Sequence, residues 1–357
     1  MVNSSLLSSI PLLLIRADAG ADIGVGHVMR CLALAQTWQD QGGRAAIALT
    51  PGGEALNDRL CSSGVEVTVI DVERGSDTDA DVTARVARDA VAVVADGYRF
   101  GTSYQRRLHD KLDGSPLMVI DDYGHADRYV ADFVLNQNAS ASPALYSSRE
   151  TYTRLLLGTQ YALIRREFSG SRPTGRFPVR AERLLVTMGG ADVAHLLPRV
   201  LDALERLGTE APQATIVLGS TTPHADYIVE RAAELPTPAQ VVRDVRDMKR
   251  LMEGSDFALV ASGSVVWELA YCNVPTLAVV VAENQKAHTQ HLAESGACHT
   301  LGWHESVTST VLADAIASLA RDTLARRSMT EAGAKVIDGR GAERVVKELY
   351  PPFFQVS

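Results

Sequence analysis

The sequence predicts an α/β protein of two domains, each built around a parallel sheet. Three observations lead there. The 357 residues exceed what a single domain of about 150 normally holds. Short apolar runs alternate with segments of helical period through both halves, the rhythm of parallel strands joined by covering helices. Between the halves, residues 168–181 lose all periodicity and hold two Gly, two Pro and three Arg, which reads as a linker. The expected boundaries are a first domain over 1–167, the linker over 168–181, a second domain over 182–338, and a C-terminal helix and tail over 339–357 that packs back on the first domain.

Residues 1–9 read as a loose leader to a first strand at 11–15. That strand runs into the turn from Arg16 to Arg30, where Gly24 and Gly26 let the backbone approach a ligand. Beyond the turn, Val28, Cys31, Leu32, Ala35 and Trp38 fall on one face of a helix, and Gly42 and Gly43 stop it. His27 sits on the first helical turn, beside unpaired N–H groups and the positive end of the dipole. That setting favours a neutral imidazole able to accept a proton. The glycine spacing is not that of a dinucleotide fingerprint. A tight turn alone explains the glycines, but Asp18, His27 and Arg30 crowd the carboxyl end of a probable parallel strand, where ligands of open α/β sheets bind.

Further strands are expected at 45–49, 65–70, 90–95 and 117–120, with a short last one at 133–135; helices fill 54–62, 79–89 and 104–112. Polar groups follow strand after strand: Asp18, Asp96 with Tyr98, Asp121 with Asp122, Asn136 with Asn138. Asp and Asn also make turns and caps, yet the repetition suggests one rim of a cleft. In the second half, strands are expected at 183–187, 214–218, 240–242, 257–261 and 276–282, and helices at 196–207, 225–234 and 247–252. Ser262, Gly263 and Ser264 follow a strand and open a helix, which suits a phosphate or diphosphate. Glu268, one turn in, can accept hydrogen bonds from a ribose diol; a plain βα turn with Glu268 as dipole partner is the competing reading.

The net charge of −8 argues against nucleic acid as a partner. Cys31, Cys61, Cys272 and Cys298 are scattered without metal-like spacing, as expected of free thiols in a reducing cytoplasm. The apolar stretch 6–15 is too short for a membrane span and lacks a basic start. No stable membrane association is therefore expected. His288 and His291 have a spacing that can hold a metal, but no third ligand stands beside them, so they read as solvated helix residues. His195, His224, His299 and His304 read as turn or surface residues.

Eight short motifs resemble, in order, one enzyme family. They are Gly24-x-Gly-His27-x-x-Arg30, Val119-Ile-Asp-Asp122, Leu135-Asn-Gln-Asn138, the stretch Leu157 to Phe168, Gly189-Gly190-Ala-Asp192, Gly263-Ser264-x-x-Trp267-Glu268, Glu283-Asn284-Gln285 and Asp338-Gly-Arg-Gly-Ala342. The family is the UDP-2,4-diacetamido-2,4,6-trideoxy-β-L-altropyranose hydrolases of pseudaminic acid biosynthesis. The resemblance implies a GT-B architecture like that of the glycosyltransferase MurG: two Rossmann-like domains facing a cleft, UDP on the second and the sugar facing the first. It implies a UDP-sugar substrate with neither metal nor organic cofactor. His27 would be the general base that activates water for inverting attack at the anomeric carbon. By position, Asp18 and Arg30 are expected to orient His27 or bind the sugar, with Gly26, Tyr98 and Asn284 also at the sugar. Gly190, Gly263, Ser264, Glu268 and Gln285 are expected at the nucleotide and diphosphate. Ser262, Met188 and Val193-Ala-His195 depart from the family pattern, all in nucleotide-domain loops. Related spore-coat polysaccharide proteins share the histidine turn, so the alternative is a glycosyltransferase in which His27 deprotonates an acceptor hydroxyl. No amphipathic basic helix near 60–115 offers a lipid-linked acceptor a docking face. A silent sugar-nucleotide sensor would have no need of the intact His turn.

Overall fold

The computed structural model describes residues 10–354, apart from 21, 22, 54, 55, 171, 220, 221, 244 and 246. The expected leader and the start of the helix expected at 54 lie outside the described residues. The chain divides into two compact units, Met1–Arg166 with Gly339–Ser357, and Glu167–Asp338.

The first unit holds seven parallel strands, β1 (Leu12–Ala17), β2 (Arg44–Leu49), β3 (Glu66–Val69), β4 (Ala90–Asp96), β5 (Leu117–Ile120), β6 (Phe133–Asn136) and β7 (Arg154–Leu157). Their order is β3-β2-β1-β4-β5-β6-β7. Helices α1 (Gly26–Asp40), α2 (Asn57–Ser62), α3 (Asp77–Val86) and α4 (Thr102–His109) cross between them. Because strand side chains alternate, Leu13, Ile15 and Ala17 pack under α1 with Val28, Leu32, Ala35 and Trp38. Leu14 faces the opposite side with Ala48, Val93, Phe100, Tyr104 and Leu108. Ser76 starts α3 by accepting the Asp79 N–H at 3.1 Å.

The second unit repeats the plan with β8 (Arg183–Thr187), β9 (Gln213–Leu218), β10 (Gln240–Arg243), β11 (Phe257–Ala261), β12 (Thr276–Val280) and β13 (His299–Trp303). All pairs are parallel, in the order β10-β9-β8-β11-β12-β13. Its helices are α5 (Leu196–Leu207), α6 (Ala225–Glu234), α7 (Met248–Glu253), α8 (Val265–Tyr271), α9 (Lys286–Glu294), α10 (Ser309–Arg321) and α11 (Thr323–Val336). No helix among the described residues is long and apolar enough to cross a membrane.

Four expectations need correction. Phe133–Asn136 is not the last strand of its half: Arg154–Leu157 adds a sheet edge whose three leucines are too short a run to stand out. His299, read as a turn or surface residue, is exposed but begins an edge strand, interrupted by Gly302 at φ +85°. His288 is buried against Trp267 at 4.7 Å between ring centres, while His291 is solvated as expected. The stretch read as a linker is fastened within the second unit. Arg172 donates to Asn273 Oδ1 at 2.9 Å, to the Ile337 carbonyl at 2.9 Å and to the Ala270 carbonyl. A cation there satisfies carbonyls that helix C-termini leave open.

The final helix α12 (Gly341–Leu349) belongs to the first unit, burying Val345, Val346 and Leu349 in the α1 core. Trp38 is packed by Tyr350 and Phe353 at 5.5 and 4.8 Å, and its indole N–H donates to the Pro11 carbonyl at 3.1 Å. A Cβ on Gly341 would collide with the Ala162 backbone. Gly341→Ala is therefore expected to cost about 1–3 kcal/mol by overpacking, read as a lowered urea midpoint at unchanged slope.

Candidate active site

The two halves of the first sheet part at β1, which has β2 on one side and β4 on the other. Such a reversal of strand order opens a crevice at the carboxyl ends of the strands, the general ligand position in open α/β sheets. His27 enters from the loop after β1, and Asp96 ends β4. Register pairs Ala17 with Asp96, so both residues meet at that crevice. Gly24, at φ +73°, turns the chain sharply enough for α1 to begin at Gly26.

His27 Nδ1 lies 2.7 Å from Asp96 Oδ1. An ionised carboxylate can only accept, so Nδ1 carries a proton towards Asp96 and Nε2 is the ring nitrogen left to accept one. Arg30, one turn further along α1, grips the same carboxylate with two N–H groups at 2.6 Å each. Its remaining arm reaches both oxygens of Asp122 at 2.8 and 3.0 Å. Asp122 also accepts from Tyr98 Oη at 2.5 Å and Asn138 Nδ2 at 2.8 Å. The Tyr98 ring stands edge-on to His27 at 4.9 Å.

All of this is buried except the histidine and tyrosine faces. Burial alone would raise the Asp96 pKa, but the Arg30 guanidinium and the His27 ring outweigh it and hold the carboxyl well below its usual range. Asp122 is likewise lowered against its burial, chiefly by Arg30. Burial and the Asp122 charge push the Tyr98 phenol far up, so it stays protonated and donates. The Cys31 thiol, 3.3 Å from Asp96, is pushed up by burial and is no nucleophile.

Several sequence expectations shift here. Asp18 does not orient His27; its carboxylate is held by Arg16 at 2.7 Å and by the Thr50 N–H and hydroxyl at 2.7 and 2.8 Å. Asp96 orients the ring instead. Of the two roles expected of Arg30, orienting His27 or binding the sugar, the geometry fits the first: its guanidinium nitrogens are directed at Asp96 and Asp122. Gly26 opens the helix, and a Cβ there would meet nothing within 4 Å.

In the second unit the strand order reverses at β8, flanked by β9 and β11. Gly190 follows β8, Gly263 and Ser264 follow β11, and Asn284 and Gln285 follow β12, so all sit at the same edge of neighbouring strands. The loops after β8 and β9 come so close that a Cβ on Gly219 would strike Gly190. Ser262 shares a 2.5 Å hydrogen bond with Thr289, and a Cβ on Gly263 would meet nothing within 4 Å. Glu268 is buried in the first turn of α8. Gln285 Oε1 accepts the Val281 N–H at 3.0 Å, closing the turn after β12 rather than reaching outward. Asp192 caps α5 through the Leu196 and Leu197 N–H groups at 2.9 and 3.1 Å.

No family model matches the chain. In sequence it is 28% identical over 202 residues to the Bacillus subtilis (strain 168) spore coat polysaccharide biosynthesis protein SpsG, a match covering 56% of this chain and only 59% of that protein's length. It is 23% identical over 286 residues to the UDP-2,4-diacetamido-2,4,6-trideoxy-beta-L-altropyranose hydrolase of Campylobacter jejuni, covering 79% of this chain and 96% of the hydrolase. Among solved structures, MurG of Acinetobacter baumannii superposes with a TM-score of 0.65 at 18% identity, covering 95% of this chain and 99% of MurG. The S. aureus MnaA–UDP co-structure gives 0.65 at 14% identity, covering 97% and 98%. The fold is GT-B.

Within this GT-B chain, Asp96, Asp122 and Asn138 are site residues that reasoning from sequence left unassigned. Their signal was present in the polar residue closing each strand; the pairing of β1 with β4 was not. Replacing Arg30 by Met leaves two carboxylates buried without a cation and is expected to cost about 3–5 kcal/mol, seen as a large drop in melting temperature. Asp96 has a folded pKa well below its unfolded one, so its contribution is complete above about pH 4 and is lost progressively as pH falls from there towards the folded value. The stability gap between wild type and Asp96→Asn should accordingly be wide at pH 6 and narrow towards pH 3 in urea titrations.

Proposed function

We propose that this protein hydrolyses a UDP-linked 2,4-diacetamido-2,4,6-trideoxy sugar to UDP and the free sugar, as a step of nonulosonic acid biosynthesis. The observation that carries this reading is His27 at the β1/β4 crevice with Nδ1 tied to Asp96 and Nε2 left to accept. Its support in sequence is the Campylobacter hydrolase, matched over nearly its whole length. Water attacks the anomeric carbon from the face opposite the diphosphate and gives a proton to Nε2. The bond from that carbon to the diphosphate oxygen breaks, and UDP leaves with the electron pair, so the product is inverted. Asp96 stabilises the imidazolium, as an oriented carboxylate does in hydrolytic triads. UDP already leaves readily, so aiming the water and stabilising charge are the main tasks.

The nucleotide half is assigned to the second unit. The turns at Gly190 and at Gly263–Ser264 receive the diphosphate, Glu268 accepts from the ribose hydroxyls and Asn284 contacts the sugar. UDP in the MnaA co-structure supports a uridine nucleotide on this fold. The four free cysteines accord with a reducing cytoplasm. A second reading, a UDP-sugar glycosyltransferase of surface polysaccharide synthesis, is favoured by the likeness to MurG and to the spore coat protein. There His27 would deprotonate an acceptor hydroxyl.

Purified protein is expected to release UDP from the UDP-trideoxy sugar with no acceptor added, and NMR of fresh product to show the inverted anomer. UDP release that strictly requires an added acceptor selects the transferase. His27→Ala should lower the rate by about 10²–10⁴-fold, the usual worth of a general base, while UDP binding measured by calorimetry is kept. Wild-type turnover in that variant would refute the mechanism.

A further inference from the structure

Beyond the histidine, the rim of the first unit carries a half-exposed aromatic side chain, Tyr123. Tyr123 follows Asp122 directly, and its ring is 46% exposed. Its backbone is nonetheless fixed. Asp121 accepts the N–H groups of Asp122, Tyr123 and Gly124 at 2.7, 3.3 and 2.7 Å. Gly124, at φ +81°, lies so close to the Leu145 carbonyl that a Cβ there would crowd it. Among the described residues no group hydrogen-bonds the Tyr123 hydroxyl.

The ring is also placed. Its centre is 5.1 Å from that of Tyr98, whose own is 4.9 Å from His27. The three rings step outward from the proton acceptor to solvent along the carboxyl ends of β1, β4 and β5. A large aromatic ring held out at a strand-end rim, on a turn pinned by three hydrogen bonds, has the make-up of a ligand surface. An aromatic face suits a sugar face carrying a methyl group and few hydroxyls, and it disfavours one with a primary alcohol.

Resting on the hydrolase reading above, we propose that Tyr123 is a specificity-determining residue that receives the apolar face of a 6-deoxy sugar. It takes no part in proton transfer, so its loss weakens sugar binding without slowing the chemical step.

The test uses the full chain in the His27→Ala background, where substrate is not consumed. Calorimetry compares binding of the UDP-2,4-diacetamido-2,4,6-trideoxy sugar and of UDP alone to His27→Ala and to His27→Ala with Tyr123→Ala. The expected result is about a tenfold loss of affinity for the UDP-sugar, of the size a lost apolar contact brings, with UDP affinity unchanged. Tyr123→Phe should restore UDP-sugar affinity, and equal melting temperatures should show that the rim still folds. In the His27 enzyme, Tyr123→Ala should raise KM about tenfold and leave kcat in place. Equal UDP-sugar affinity with and without the Tyr123 ring overturns the proposal, as does a fall in kcat at constant KM. If wild type proves to need an acceptor, the hydrolase reading fails while the calorimetric difference still decides the role of Tyr123.

Discussion

The first unit's site depends on one buried cation. Asp96 and Asp122 end adjacent parallel strands and point into the same crevice, where two unscreened carboxylates would repel and one would take up a proton. Arg30 prevents this by bridging them, gripping Asp96 with two N–H groups and touching both oxygens of Asp122 with a third nitrogen. Only a guanidinium has the donors and planar fork for that. An ionised Asp96 in turn fixes the proton of His27 on Nδ1. The tautomer of His27 is therefore set at one remove, by Arg30.

Arg30 reaches this place because of two registers. On α1, His27 and Arg30 are three residues apart and so share a face, while Val28, Cys31, Leu32 and Trp38 turn towards the core. In the sheet, Ala17 pairs with Asp96. Strand side chains alternate, so a slip of one residue between β1 and β4 would send Asp96 through to the opposite face. The two cores, under α1 and over α4, disfavour such a slip, since it would exchange Val94 and Val93 between differently shaped packings. Packing energy thus holds the geometry of a polar site that contributes little stability of its own.

Most of the fold was legible because buried parallel strands are written as continuous apolar runs, and Leu12–Ala17, Ala90–Asp96 and Phe257–Ala261 are such runs. Arg154–Leu157 and His299–Trp303 escaped because edge strands need less burial and so carry weaker patterns. His27 was legible from its place behind Gly26. Its partner was not: Asp18 is nine residues from His27 and Asp96 is sixty-nine, yet the distant one makes the contact. Spacing along the chain cannot report which strands become neighbours, and at a crevice where the order reverses Asp18 turns to the wrong side. Asp18 turned instead to Arg16, whose guanidinium is buried on Asp79. The Gly- and Pro-rich stretch at 168–181 misled for a related reason, since the composition of a linker does not reveal that Arg172 will find helix-end carbonyls to bind.

The two sheets share one order of strands and differ in what they hold at the reversal. The first carries two carboxylates, a guanidinium, an imidazole and a phenol, nearly all withdrawn from water. The second carries glycine and serine turns, a buried Asp192 that caps α5 and a buried Glu268 in the first turn of α8. Burying four ionisable groups around one histidine is costly for a surface that merely recognises a ligand, because each must be desolvated and each partner satisfied. Backbone N–H groups and small residues bind an anion without that cost. The asymmetry sets the first unit apart as the one that, among the described residues, concentrates desolvated ionisable groups at its strand reversal.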